Sequence, residues 1–270
     1  MSKLDRAFVK AFDRRPPGGP HAPLARPEIE SAPPVAVEQQ IVIDPPVVEQ
    51  SQIAIHRSLK WNWPRKSQAV MNATRRGFER LAGQLVDVAH ERSLRSIGFV
   101  SPGRGHGRTT TLLALTQVLV EVHSPCVLLV DADVGHPEIA SQLGVAPACG
   151  LFDVACGDAT LEDAIVEMVP GRLGLLAECG SGHVGLWNSE RYPAALTVLE
   201  MYRPQFGLVL VDVGPWGPMN WSSVWYRGAI DAVVCVASTR PDRQQMTDGQ
   251  LVSQLVPAAI EYLGRIETSV

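Results

Sequence analysis

Residues 99–115 read "FVSPGRGHGRTTTLLAL", and the fold turns on how this stretch is understood. The apolar run "SIGFV" (96–100) leads into it, and from Thr109 to Val122 the pattern is helical. Between them Gly103, Gly105 and Gly107 carry no Cβ, so the backbone can turn its N–H groups inward around an anion. A helix starting at the threonines adds the partial positive charge of its N-terminus. Such a loop is expected to hold phosphate, through Gly103, Gly105, His106, Gly107, Arg108, Thr109 and Thr110. Thr109 offers the hydroxyl that loops of this kind place on Mg2+. Against the pattern GxxxxGK[ST], the end matches in Gly107-Arg108-Thr109, but Pro102 stands at the first glycine and Arg108 at the lysine.

Further along, two apolar runs end in acids. "VLLVDADVGHP" (127–137) carries Asp131 and Asp133, and "LVLVDVGPW" (208–216) carries Asp212. Acids at the C-terminal ends of parallel strands face the crevice where ligands bind, and there they can hold Mg2+ through oxygen. Thr109, Asp131 and Asp212 are the expected metal ligands. Taken singly, each aspartate also fits a turn or a helix cap.

The remaining runs are 172–178, 231–238 and 263–268, and most of the set is apolar without alternation, as expected of strands covered on both faces. Helical spacing marks Gln68–Glu91, Thr109–Val122, Leu161–Met168, Ala194–Met201 and Met246–Ile260. Strands alternating with helices predict an α/β fold, a parallel sheet flanked by helices, over residues 67–270.

Residues 1–66 differ in character. Ten of the 21 prolines lie before residue 65, and proline removes donors and fixes φ. The stretch is expected to be a largely disordered tether, with a short amphipathic helix at Leu4, Phe8 and Phe12 as the alternative to a frayed tail. The start "MSKLDRAFVKAF" is too polar for a signal peptide, and no run approaches the ~18 apolar residues of a membrane span. A net charge of -4 gives no electrostatic case for nucleic acid. The five cysteines form no CxxC pair and read as reduced core thiols. A cytoplasmic protein is expected.

Four segments in order, "SPGRGHGRTTTLLAL", "VLLVDADVGHPEIASQLGV", "GLFDVACGDATLEDAI" and "FGLVLVDVGPW", resemble the bacterial tyrosine kinases of exopolysaccharide biosynthesis and export. These kinases belong to the MinD/ParA class of P-loop ATPases. The resemblance runs from about Phe78 to Val270 and includes the closing "YLGRIETSV"; the N-terminal "MSKLDRAFVKAF" is similar to the start of cytoplasmic members. It implies a P-loop NTPase-like fold, ATP or ADP with Mg2+ as cofactors, and a membrane-bound polysaccharide co-polymerase or export protein as partner, reached through the N-terminal arm. It also implies homo-oligomers. Gly105, Gly107, Arg108, Thr109 and Thr110 fall on the Walker A positions, Asp212 on Walker B, and Asp131 and Asp133 on the family's second aspartate motif. The resemblance gives Arg108, Asp131 and Asp133 catalytic roles.

Several positions depart from that pattern. Lysine is a compact charge that follows the γ-phosphate, whereas arginine is a broad fork; Arg108 is expected to displace the phosphates or point out, weakening binding and lowering transfer steeply. Gly135 and His136 replace two arginines of the family. The Glu-Arg-Arg triplet of the preceding helix is not intact in "TRRGFERLAGQL", where Glu79 and Ala82 fall near its arginine places. No tyrosine cluster follows the last strand, and Tyr262 is the last tyrosine. His106 is expected to face solvent, His136 and His183 have no paired ligands, and "GSGHVG" (180–185) reads as a flexible loop. Trp216, Trp221 and Trp225 fit a lid, a partner surface or packing over the sheet. Two other functions remain open: a MinD/ParA-type ATPase switch and a non-catalytic scaffold. The switch class usually carries a lysine where Gly103 stands, and no basic membrane helix or DNA-binding surface is evident.

Overall fold

A computed structural model describes residues 60–123, 126–133, 135–178, 203–216, 228–240 and 245–269, together with 194, 197, 199 and 200. The proline-rich arm, the expected helix 194–201, "GSGHVG", His183, Trp221 and Trp225 lie outside the described residues or almost wholly so. Seven strands form one sheet: β1 (Ser96–Ser101), β2 (Val127–Asp131), β3 (Ile165–Val169), β4 (Leu173–Leu176), β5 (Leu208–Pro215), β6 (Ala232–Ser238) and β7 (Glu261–Thr268). Their order is β3-β4-β2-β5-β1-β6-β7. Every neighbouring pair is parallel except β3 with β4.

The unbroken apolar runs follow from burial on both faces. On β2, Val127 and Leu129 point into one core while Leu128 and Val130 point into the other. β5 and β6 divide in the same way, Leu208 and Leu210 against Val209 and Val211, Ala232 and Val234 against Val233 and Cys235. Gly98 lies in the middle of β1, where a Cβ would stand 3.0 Å from Val213 and 3.2 Å from Ile230. Any larger residue there would require those side chains to shift by a few tenths of an ångström.

Helices α1 (Arg65–Ala73), α2 (Arg75–Glu91) and α3 (Arg108–Val122) cover the first core. Residues 111–120 of α3 are all buried. A helix apolar on nearly every side lies inside a fold rather than on its surface, here between the sheet and the first two helices. Short helices α4 (Ile139–Leu143), α5 (Leu151–Cys156) and α6 (Leu161–Ala164), with α7 (Asp248–Leu255), complete the layers among the described residues.

Three helical expectations are corrected. The stretch 68–91 is two helices, because Thr74 leaves helical geometry (φ -136, ψ 32). Its hydroxyl donates to the Val70 carbonyl at 2.9 Å, and its own carbonyl accepts from Gly77 and Phe78, so the break leaves these groups satisfied. The stretch 161–168 is a single helical turn followed by β3. Leu161, Ala164 and Met168 satisfy a helical period, but the β-branched Ile165 and Val166 complete the edge of the sheet antiparallel to β4. The stretch 246–260 contains α7 and a 3-10 turn at Val256–Ala258.

Residues just before α1 are tied to the domain. The Trp61 Nε1–H donates to the Met168 carbonyl at 2.6 Å, and the Asn62 amide donates to Leu143 at 3.2 Å. The Trp61 and Trp63 rings meet edge to face at 5.0 Å.

Candidate functional site

The site forms where β1, β2 and β5 end side by side. In register, Phe99 lies beside Asp212 and Asp212 beside Asp131. The chain leaves β1 at Ser101, turns through the glycines and enters α3 at Arg108. Gly105 (φ 76) and Gly107 (φ 78) are both left-handed, a conformation glycine adopts without the steric cost that a Cβ imposes. The Ser101 hydroxyl donates to the Gly103 carbonyl at 2.8 Å and fixes the start of the turn.

His106 is not solvent-facing. It is buried, and its Nδ1 accepts the backbone N–H of Ser238 at 2.9 Å. Its carbonyl accepts the Thr268 hydroxyl at 2.8 Å. The loop is thereby stapled to the ends of β6 and β7, whose anchoring residues lie more than a hundred positions away.

Arg108 does not point out. It turns inward toward the strand tips, where its side chain is 9% exposed. Its Nε donates to Asp212 Oδ1, its Nη2 to Asp133 Oδ2 at 2.7 Å, and its Nη1 to the Ser101 hydroxyl at 3.2 Å. Thr109 Oγ1 donates to the other Asp212 oxygen at 2.6 Å. Burial opposes the charge of the guanidinium, but Asp212 and Asp133 outweigh it and raise the pKa above the ordinary arginine value. Arg104, half exposed, brings a second guanidinium to within 3.7 Å of Asp133.

Asp131 has different partners. Its Oδ2 accepts the amides of Glu138 and Ile139 at 3.0 and 2.9 Å, and Oδ1 accepts that of Asp133 at 3.3 Å. Its carboxyl therefore closes the turn from β2 into α4. Burial, then the neighbouring Asp212 and Asp133 charges, push its pKa well up, against the pull of the Ile139 amide.

A cavity of about 860 Å3 opens in front of the loop. Gly103 to Thr110 form its floor, Asp133 and His136 one wall, and Arg65 and Lys66 of α1 another. Asp131 and Asp212 do not line it. Loop amides, the N-terminus of α3 and the cations Arg104, Arg65 and Lys66 suit a phosphate group. A divalent cation fits less well. Both Asp212 oxygens and one Asp133 oxygen already accept hydrogen bonds from Arg108 and Thr109, and those of Asp131 accept from backbone amides. Among the described residues no group of three or more His, Cys, Asp and Glu side chains is arranged to hold a metal ion.

Sequence reasoning missed Ser101, Arg65, Lys66 and Gly214. At Gly214 (φ 99) a Cβ would stand 3.1 Å from the Asp133 carboxyl carbon, so this glycine leaves room for that carboxylate. The glycine in "VDVGP" was the available signal. Arg65 and Lys66, over thirty positions from the loop, gave none.

A glycine loop between β1 and α3, with acids on the two adjacent strand tips, defines a P-loop NTPase-like α/β domain. Solved structures share this fold. The kinase domain of Escherichia coli tyrosine kinase ETK superposes with a TM-score of 0.62 at 19% identity, over 78% of this chain and 83% of that one. The BceF tyrosine kinase domain gives 0.56 at 21%, over 71% and 76%. MinD from Pyrococcus horikoshii OT3, solved as a complex with Mg-ADP, gives 0.53 at 24%, over 63% and 68%. At these identities the likeness is one of fold, and it accords with the resemblance noted in the four sequence segments. No family model matches the chain, and no curated protein matches it in sequence. No helix among the described residues is long and apolar enough to cross a membrane.

Proposed function

We propose that this chain is a cytoplasmic nucleotide-binding protein, related to the tyrosine autokinases of exopolysaccharide biosynthesis, in which phosphoryl transfer is weak or lost. Gly103, Gly105, His106, Gly107, Arg108, Thr109 and Thr110 form the cradle for the phosphates of ADP or ATP. In this reading the amides of the loop contact phosphate oxygens, His106 holds the loop in shape, and Arg104 and Lys66 supply charge at the rim. The bound MinD nucleotide belongs to that protein and lends the choice of ADP its support.

One observation carries the reading of reduced transfer. The cation at the Walker A lysine position already forms ion pairs with Asp133 and Asp212. A lysine working as a mobile point charge neutralises the γ-phosphate as charge develops. Arg108, held by two carboxylates, has little charge left to offer. Asp133 likewise has an oxygen engaged by the guanidinium, and Asp131 serves the turn.

Residues 1–66 are proposed to include the arm that reaches a membrane-bound polysaccharide co-polymerase or export protein, and the nucleotide domain to comprise 67–270 together with the cavity-lining Arg65 and Lys66. Calorimetry with ADP and ATP tests the cradle: saturable heat supports it, and none at millimolar nucleotide removes it. Co-purification of the full chain, but not residues 51–270, with such a membrane partner tests the arm.

A further inference from the structure

The disagreement between the acid cluster and a divalent cation leads further. Arg108 Nε, Nη1 and Nη2 each donate to a different group: Asp212, Ser101 and Asp133. Those groups belong to β5, β1 and the segment just after β2, so one planar cation spans three strand tips. A guanidinium is always charged and matches carboxylates edge to edge. A divalent ion here needs oxygen ligands with free lone pairs and demands near-octahedral geometry if it is Mg2+. The Thr109 hydroxyl donates a hydrogen bond to Asp212, which engages hydroxyl and carboxylate with each other. To enter, a metal would have to expel a tethered and almost fully buried guanidinium from both carboxylates.

We propose that Arg108 stands in the metal's place as a built-in counter-ion, so that the chain binds a nucleoside polyphosphate without a divalent cation. One fixed positive charge thus lies between Asp133 and Asp212 before any ligand arrives, with Arg104 3.7 Å from Asp133 on the open side. Ligand charge is then met by loop amides, Arg104, Arg65 and Lys66 at the open side of the cavity. The first half of this proposal, the exclusion of metal, is independent of the nucleotide reading; the second half rests on it.

Two measurements on the full-length chain test the halves separately. The first titrates Mn2+ into nucleotide-free protein and follows free Mn2+ by electron paramagnetic resonance. The wild type is expected to bind none at this cluster, Arg108→Ala to gain one Mn2+, and Arg108→Ala combined with Asp212→Asn to lose it again. Mn2+ bound by the wild type and abolished by Asp212→Asn overturns the proposal. So does a folded Arg108→Ala protein that binds no Mn2+. Circular dichroism establishes folding, and Arg108→Met, which keeps the aliphatic stem, substitutes if the alanine variant does not fold.

The second measures ADP affinity by calorimetry in EDTA and in excess MgCl2. Equal dissociation constants, within about twofold, are expected, whereas an affinity about tenfold tighter with Mg2+ would overturn the proposal. No heat in either buffer removes the nucleotide reading, and the Mn2+ experiment then decides the place of Arg108 alone.

Discussion

Lysine at position 108 has a shorter reach and a point charge in place of a planar fork. It cannot span Asp212, Asp133 and Ser101 together, so at least one carboxylate is released. Arg108→Lys is expected to raise any rate of ATP hydrolysis over that of the wild type, measured as phosphate release with Mg2+ present. An unchanged rate would contradict the role given to the arginine. At Gly214 the expectation has the opposite sign. Alanine there must hold a φ of 99 and displace the Asp133 carboxyl; the expected cost is about 1–3 kcal/mol, read from a denaturant titration. Asp131 gives a pH dependence. Folding raises its pKa, so the native state binds this proton more tightly than the unfolded chain. Wild-type stability from this group therefore falls as pH rises from about 4, the unfolded value, through the folded one. Asparagine does not titrate, though it loses a hydrogen bond to the turn at every pH. The Tm of Asp131→Asn relative to wild type should accordingly improve between about pH 5 and about pH 8; a difference that is flat or worsens speaks against a raised pKa. Cys235, by contrast, offers no chemistry, since burial pushes its thiol up to about 11.

The phosphate loop behaves as an element because His106 joins it to β6 and β7. His106→Ala removes the acceptor for the buried Ser238 amide and leaves a void, at an expected cost of roughly 1–3 kcal/mol. If the loop's shape depends on that staple, ADP affinity should fall by more than the change in overall stability explains, and calorimetry on folded protein at low temperature separates the two. Most elements were legible from sequence, for a stated reason: strands covered on both faces need unbroken apolar runs, and the runs ending at Asp131 and Asp212 are such strands. The edge strand β3 was not legible. "LEDAIVEM" satisfies a three-and-four spacing, and only its pairing with Leu173–Leu176 makes it extended. Nor was the break at Thr74, which has neither glycine nor proline to announce it. The direction of Arg108 was equally hidden. The charges that capture it lie 25 and 104 positions away, and a reading confined to the loop sees only a cation among glycines.

At the scale of the molecule, the loop, the segment from Asp133 into α4 and the start of α1 border one cavity among the described residues. Residues 1–66 differ in composition from the rest, but Trp61 and Asn62 are already hydrogen-bonded to the domain. A truncated chain of residues 51–270 keeps Trp61, Asn62 and Trp63 and should therefore retain the Tm and ADP affinity of the full protein. A drop in Tm of more than a few degrees would mean that the arm itself contributes to the folded state.

The point of attachment has a mechanical consequence. Among the described residues, the Trp61–Met168 and Asn62–Leu143 hydrogen bonds are the first that a load applied from the N-terminal side meets. Just beyond Trp63, Pro64, Arg65 and Lys66 are cavity wall. A protein that grips the leading segment thus has its hand on the rim of the cradle. By linkage, whatever it does to the hold on a guest, the guest does in equal measure to the grip.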